Sequence, residues 1–242
     1  MKKIKKPSIV LFDLDNTLYD YDSAHNDAIK AVSKKVKNLL NIDETEFIEL
    51  YEEAKQIIKK RIPNTASSHN RLLYFQKFIE LKGLGQQVLI ALDLSQTYWN
   101  KFLISANLFD GVYEVFDELR LNGVKIGLVT DLTADIQFRK LIKFGLGHSF
   151  DCIVTSEEAG KDKPNENCFN IALEKLEINK SNEENIWMIG DDLFKDIKGS
   201  KVSINATGFI FQKKKKEIKE FSSDYYFSDF NVLLNIIKDV FK

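Results

Sequence analysis

The chain alternates short runs of consecutive apolar residues with longer stretches in which apolar residues recur every three or four positions. The short runs stand at residues 9–12, 124–129, 152–155 and 186–189. Continuous apolar runs of this length are typical of strands buried on both faces of a sheet. After residue 107, the intervening stretches have helical spacing at 112–121, 134–144 and 166–176. This alternation predicts an α/β fold with a doubly wound, mostly parallel sheet.

Residues 19–106 have a different pattern, because they contain no strand-like run. Apolar residues at helical spacing predict four amphipathic helices, at about 28–40, 47–58, 72–81 and 88–102. Four such helices form a small all-helical bundle. We therefore predict two domains: an α/β domain of residues 1–18 and 107–242, and a helical insert of residues 19–106.

Polar side chains follow each apolar run at its carboxyl end. They are Asp13, Asp15 and Thr17 after the first run, Thr130 and Asp131 after the second, Lys163 in the loop that follows the third, and Asp191 and Asp192 after the fourth. Carboxyl ends of parallel strands meet at one edge of a sheet, where ligands bind in open α/β folds. Carboxylates, a hydroxyl and an ammonium at that edge are suited to phosphate and a divalent cation. Taken alone, Asp13 and Asp15 are equally well explained as a helix-capping turn.

In this order, the set resembles the haloacid dehalogenase-like (HAD) hydrolase superfamily. The four motifs match Asp-Leu-Asp-Asn-Thr at residues 13–17, Thr130, Lys163 followed by proline, and Gly-Asp-Asp at residues 190–192 with Asp196 further on. The resemblance extends over nearly the whole chain. It implies a Rossmann-like core and makes the helical insert a cap between the first and second motifs. Such a cap acts as a lid that excludes water and contacts the leaving group.

The resemblance also implies a phosphatase that hydrolyses a small phosphorylated metabolite through an aspartyl-phosphate. Asp13 would be the nucleophile, and Asp15 would be the general acid and base. Relatives that act as dehalogenases lack an acid at the second position, so Asp15 favours an oxygen-linked phosphate. Thr130 would bind a phosphoryl oxygen. Lys163 would place a positive charge between nucleophile and phosphate, with Lys161 as the competing candidate.

Mg²⁺ is the expected cofactor, because the candidate ligands are hard oxygens. The resemblance implies that Asp13 and Asp191 supply carboxylates and that Asp15 supplies its backbone carbonyl. Asp196 is expected in the outer shell of the metal. Asp192 either joins Asp196 there or caps the following helix.

Other candidate residues have two interpretations each. Asp131 either adds a carboxylate to the phosphate site or caps the helix that begins at Ala134, and we favour the cap. Thr17 is expected to steady the nucleophile loop beside the phosphate. Arg61 and Arg71, in the insert, are candidates for contacting the substrate, although we favour a solvated loop between helices as the explanation for either one alone.

Composition limits the partners. With 35 basic and 36 acidic residues the formal net charge is −1, so nothing in the overall charge recruits a nucleic acid polymer or an anionic membrane. No segment is long and apolar enough to span a bilayer or to form a secretory signal. We therefore expect a cytoplasmic monomer or homodimer acting on a small-molecule phosphate ester. The run Lys213 to Lys216 predicts a solvated loop after an edge strand at 208–211.

Two other functions remain open at this point. A phosphomutase uses the same core and returns the phosphoryl group from Asp13 to a sugar, whereas a phosphatase releases free phosphate. A non-catalytic binding module on the same fold is the second alternative. A haloacid dehalogenase is less favoured, because Asp15 and the acidic metal site count against it.

Overall fold

The computed structural model describes residues 4–178, 184–212 and 223–242. The chain divides into two compact units, one formed by Met1–Asp20 and Asn107–Lys242 and the other by Tyr21–Ala106. The run Lys213 to Lys216 lies outside the described residues. Within the described residues, no helix combines the length and the apolar character that crossing a membrane requires.

The smaller unit is all-helical, as its periodicity predicts. Its helices are α1 (Tyr21–Leu40), α2 (Glu44–Arg61), α3 (Arg71–Leu81) and α4 (Val88–Ser105), with a 3₁₀ turn at Ala66–His69. Asp43 caps α2 by accepting a hydrogen bond from the amide of Glu46 at 3.0 Å. The interior is rich in aromatic side chains; the fully or almost fully buried ones are Phe47, Tyr51, Tyr74, Phe75, Phe78, Tyr98, Trp99 and Phe102.

The larger unit is built on a six-stranded sheet. Its strands are β1 (Ile9–Phe12), β2 (Lys125–Thr130), β3 (Cys152–Thr155), β4 (Ile186–Gly190), β5 (Thr207–Phe211) and β6 (Tyr225–Phe227). They are ordered β3-β2-β1-β4-β5-β6, and each described pair is parallel. The predicted parallel α/β fold is therefore confirmed. Since Phe12 pairs with Leu128 on one side and Ile189 on the other, β1 ends at the centre of the carboxyl edge.

Helices connect and flank these strands. They are α5 (Val112–Leu121), α6 (Ala134–Lys143), α7 (Ser156–Ala159), α8 (Glu166–Lys175), α9 (Gly199–Ile204) and α10 (Phe230–Phe241), with a π-helical segment at Leu193–Lys198. All four residues of β1 are at most 1% exposed, as expected for a central strand covered on both faces. Cys152 and Cys168 are buried free thiols.

The prediction that residues 208–211 form an edge strand is wrong. β6 pairs with β5 from Phe209 opposite Tyr225 to Phe211 opposite Phe227, so β5 is an inner strand. The sequence analysis also missed α10, which packs against α5. A three-residue strand carries too few positions to show a period of two, which is why β6 gave no clear signal.

Candidate active site

Asp13 lies directly after β1 and is 6% exposed. Its amide donates to the carbonyl of Ile189 at 2.9 Å, which places it beside the end of β4. Thr17 Oγ1 donates to Asp13 Oδ2 at 3.0 Å, and Lys163 Nζ donates to Asp13 Oδ1 at 2.6 Å. Both carboxylate oxygens of Asp13 therefore accept a hydrogen bond, one from Lys163 and one from Thr17 in the loop that follows β1.

Lys163 joins two buried carboxylates. Its Nζ lies 2.6 Å from Asp13 Oδ1 and 2.6 Å from Asp196 Oδ1, and it also donates to the carbonyl of Val129 at 3.0 Å. Burial by itself lowers the pKa of this ammonium, but the charges of Asp13 and Asp196 raise that pKa well above its usual range. Lys161, the competing candidate, is exposed.

Three carboxylates form the acidic cluster, which we define as Asp13, Asp191 and Asp196. Each offers an oxygen atom, and these atoms all lie within 4.8 Å of one another. Burial raises the pKa of Asp13 to about 7 and that of Asp191 to about 8, and it also raises the pKa of Asp196. The raised pKa values mean that these neighbouring carboxylates are difficult to ionise together. A small divalent cation such as Mg²⁺ fits this cluster, because its charge would offset the repulsion between the carboxylates.

Asp196 lies inside this cluster, although the sequence analysis placed it in the outer shell. Its Oδ2 accepts from the amide of Asp192 at 3.0 Å. Gly190 makes this close approach possible, since a Cβ atom at that position would collide with the Asp196 carboxylate. Asp192 caps the π-helical segment by accepting from the amides of Phe194 and Lys195 at 2.8 and 2.9 Å, which is the alternative role considered for it.

Thr130 stands at the end of β2 and is 2% exposed. Its Oγ1 accepts a hydrogen bond from Gln137 Nε2 at 2.6 Å and donates to the carbonyl of Asp131 at 3.3 Å. The same amide nitrogen donates to the Asp131 carbonyl at 2.6 Å. Gln137, which is fully buried on α6, thus orients the hydroxyl that the sequence analysis assigned to the phosphate.

The Asp15 carboxylate faces a second lysine. Lys140 Nζ donates to Asp15 Oδ1 at 2.6 Å and to Oδ2 at 2.9 Å, and Tyr19 also donates its hydroxyl proton to Oδ1. The Lys140 side chain is fully buried, whereas that of Asp15 is 24% exposed. Asp13 and Asp15 are therefore held by different lysines from different elements.

Gln137 and Lys140 were not among the site residues predicted from the sequence. A lysine within a helix is usually exposed to solvent, so Lys140 was not expected at a site. The available signal was their spacing of three, which places both on one face of α6 together with the buried Leu141, while Phe138 and Ile142 are exposed. A helix that buries polar side chains and exposes apolar ones is unusual, and its buried polar residues are candidates for a functional site.

The prediction that Asp131 caps α6 is wrong. The amide of Ala134 instead donates to Glu157 Oε2 at 2.9 Å, so a residue of α7 occupies that role. Asp131 Oδ1 accepts from the amide of Lys163 at 2.9 Å, and its Oδ2 pairs with Lys195 Nζ at 2.9 Å. Asp131 therefore holds the backbone from which Lys163 projects, and its own charge is paired.

The two arginine candidates of the helical unit have different environments. Arg61 ends α2 and is exposed, whereas Arg71 begins α3 and is 6% exposed. Arg71 donates to the carbonyl of His69 at 2.5 Å and to the hydroxyl of Tyr21. Its guanidinium carbon also lies 5.2 Å from the ring centroid of Tyr98. Arg71 is thus built into the aromatic interior of this unit.

Comparisons with known proteins identify related sequences that match most of the chain. A family model described as haloacid dehalogenase-like hydrolase matches residues 10–207. A ribulose-1,5-bisphosphate 5-phosphatase of Halopiger xanaduensis is 36% identical over 200 residues, covering 82% of this chain and 81% of that protein. A glyceraldehyde 3-phosphate phosphatase of Methanocaldococcus jannaschii is 30% identical over 239 residues, covering 96% and 98%.

The fold is also similar to a solved structure. The HAD-hydrolase YfnB of Bacillus subtilis, which was solved bound to magnesium, superposes with a TM-score of 0.70 at 23% identity. The match covers 96% of this chain and 99% of YfnB.

Proposed function

The chain belongs to the haloacid dehalogenase-like hydrolase family, and we propose that it is a Mg²⁺-dependent phosphatase of small sugar phosphates. The observation that carries this proposal is the buried carboxylate of Asp13, which is hydrogen-bonded to Lys163 Nζ at 2.6 Å and belongs to the acidic cluster with Asp191 and Asp196. The relatives named as sugar-phosphate phosphatases support the substrate class.

The residues that would hold Mg²⁺ are Asp13 and Asp191 through carboxylates and Asp15 through its backbone carbonyl, with Asp196 beside them. When bound, the ion supplies positive charge that offsets the repulsion between these carboxylates and the phosphoryl oxygens. Lys163 adds a fixed positive charge, because its ammonium is already bonded to Asp13 and Asp196. The Thr130 hydroxyl would donate to a phosphoryl oxygen.

In the first step, an Asp13 carboxylate oxygen attacks phosphorus, and the bond from phosphorus to the sugar oxygen breaks. Asp15 gives its proton to the departing oxygen, which leaves as the sugar hydroxyl. Thr17 holds the other oxygen of Asp13 at 3.0 Å, so the attacking oxygen keeps a fixed direction. The product is an aspartyl-phosphate on Asp13.

In the second step, a water molecule attacks the phosphorus of the aspartyl-phosphate. Asp15, now ionised, takes a proton from that water. The bond between phosphorus and Asp13 breaks, inorganic phosphate is released and the Asp13 carboxylate is regenerated. The sum is hydrolysis of one phosphate monoester by one water molecule.

We assign substrate selection to the helical unit, with Arg71 and Arg61 as the candidate residues. Arg71 belongs to a packed aromatic interior, so its replacement would alter the shape of this unit as well as its charge. Arg61 is exposed, and Arg61→Ala tests a contribution from charge alone.

The test is free-phosphate release with Mg²⁺ across sugar phosphates, nucleoside monophosphates and simpler phosphomonoesters. We expect turnover that is highest on sugar phosphates and that falls at least about 10³-fold in Asp13→Asn. The matched control is Asp135→Asn, which removes an exposed carboxylate of α6 that pairs with Arg139 on the same helix. Phosphate release that survives in Asp13→Asn would refute the nucleophile. Conversion of a sugar phosphate to its isomer without free phosphate would identify a mutase.

A further inference from the structure

We infer that Lys140 is a positioning residue that holds Asp15 in place for both proton transfers of the reaction. The inference rests on the proposed function, in which Asp15 is the general acid and base. It concerns the Asp15 clamp, which we define as Lys140, Tyr19 and Gln137.

The clamp fixes both oxygens of Asp15. Oδ1 accepts from Lys140 at 2.6 Å and from the Tyr19 hydroxyl, while Oδ2 accepts from Lys140 at 2.9 Å and from Gln137 Nε2 at 3.5 Å. Two oxygens bonded to one ammonium leave the carboxylate little freedom to rotate. The Asp15 side chain nevertheless remains 24% exposed.

Burial of Lys140 is costly for the fold unless the charge has a partner. A fully desolvated ammonium strongly destabilises a fold when it is unpaired. The fold nevertheless places Lys140 at 0% side-chain exposure and directs it to the proposed acid and base. Lys143, one turn further along the same helix, is exposed. Helix α6 thus supplies one exposed lysine and one buried lysine that pairs with Asp15.

The positioning is needed because Asp15 serves two different oxygens. It protonates the sugar oxygen in the first step and deprotonates water in the second. A misplacement of about 1 Å at such a group can cost on the order of 10²-fold in rate. The clamp fixes the carboxylate, and the 24% exposure of the Asp15 side chain leaves it accessible to a proton donor or acceptor.

A purely structural role for Lys140 makes a different prediction. If the lysine only ties the loop after β1 to α6, its loss reduces stability or slows both chemical steps together. If it positions Asp15, its loss slows the steps that need Asp15 and spares those that do not.

The experiment uses p-nitrophenyl phosphate, because p-nitrophenolate leaves without needing a proton. Formation of the aspartyl-phosphate then does not depend on Asp15, whereas its hydrolysis does. In rapid-mixing kinetics with Mg²⁺, we expect Lys140→Met to show a larger burst of p-nitrophenolate relative to its steady-state rate than wild type. Asp15→Asn should show the same change, and the matched control Lys143→Met should behave as wild type.

A sugar phosphate provides the second readout. Here both steps need Asp15, and we expect Lys140→Met to lower kcat on the order of 10²-fold with KM nearly unchanged. In the Asp15→Asn background, Lys140→Met should have no further effect, because the lysine acts through Asp15. The double variant also removes both charges of the buried pair, so it remains informative if the single variant folds poorly.

Two results would overturn the inference while leaving the phosphatase intact. One is a ratio of p-nitrophenolate burst to steady-state rate that is the same in Lys140→Met as in Lys143→Met. The other is a fall in kcat on the sugar phosphate that is as large in the Asp15→Asn background as in the wild-type protein. A wild-type protein that is inactive on every ester would instead refute the proposed function, and with it any role for Lys140 in that reaction.

Discussion

Removal of the Lys163 ammonium should destabilise the α/β unit. Lys163→Met leaves the carboxylates of Asp13 and Asp196 without the cation that lies 2.6 Å from each, in positions where their side chains are 8% and 2% exposed. Breaking a buried ion pair by removing one partner costs about 3–5 kcal/mol. Since burial raises the pKa of Asp13 to about 7, this carboxylate is partly protonated at pH 7, so we expect a loss near the lower limit, about 3 kcal/mol.

The assay follows unfolding of the metal-free protein in guanidinium chloride by tryptophan fluorescence. The chain has two tryptophans: Trp99 in α4 and Trp187 in β4. In a Trp99→Phe background, the fluorescence of Trp187 reports the α/β unit alone. A loss of about 3 kcal/mol also corresponds to a fall in melting temperature of roughly 6–12 °C.

The matched control is Lys161→Met, which removes an exposed lysine from the same loop. The double variant Asp13→Asn/Lys163→Met should recover part of the lost stability, because it removes one of the two uncompensated carboxylates. The loss in Lys163→Met should be larger at pH 8.5, where more of the carboxylates are ionised. The reasoning would be refuted if Lys163→Met changed the free energy of unfolding by less than about 0.5 kcal/mol, or if the loss of stability did not depend on pH.

Other predictions concern the metal, pH and the loop after β2. Since burial raises the pKa of Asp13 to about 7 and that of Asp191 to about 8, Mg²⁺ binding should release protons and tighten as pH rises from 6 to 8.5; equal affinity by calorimetry at both pH values would contradict this. At Asp13 and Asp191 the folded metal-free protein binds more protons than the unfolded chain, whereas at His25, whose pKa burial lowers from 6.5 to about 4, it binds fewer. Its stability should therefore fall most clearly between about pH 6.5 and 8, and thermal melts should show Mg²⁺ restoring most stability at the upper end. Asp131→Asn keeps an acceptor for the amide of Lys163, so KM should stay within about twofold of wild type, whereas Asp131→Ala loses that bond and kcat should fall about tenfold; equal kcat values would contradict the positioning of Lys163. Gln137→Leu removes the donor to Thr130 and should lower kcat about tenfold with the melting temperature retained, and unchanged kcat would exclude it from the site.

The site residues that could be predicted from the pattern of apolar runs share one property: each directly follows such a run. Asp13, Thr130 and Asp191 meet at one edge because parallel strands end there, and this follows from order along the chain. Lys163 lies in a loop rather than at a strand end, so its place was implied by the family resemblance. These positions required no knowledge of side-chain packing.

The residues that were missed or misassigned depend on contacts between distant elements. Asp131 resembles a cap in sequence, but Glu157 of α7 bonds the first amide of α6 and leaves Asp131 to Lys163 and Lys195. Lys140 and Asp15 are 125 positions apart in the chain, and no local pattern pairs them. Local periodicity predicts which face of a helix is buried, but it does not predict which buried polar group finds which partner.

Asp13 and Asp15 are the same residue type two positions apart, yet the fold gives them different environments. Leu14 between them is fully buried, and the two carboxylates bond to Lys163 and Lys140 respectively. Asp13 faces the acidic cluster, where a cation is needed before it and its neighbours can all be ionised. Asp15 is held by its own lysine with one side exposed, which suits a group that exchanges protons rather than one that binds metal through its side chain. We therefore attribute the proposed separation of nucleophile from acid and base to two buried lysines in different parts of the α/β unit, because the Asp-Leu-Asp sequence by itself does not distinguish its two carboxylates.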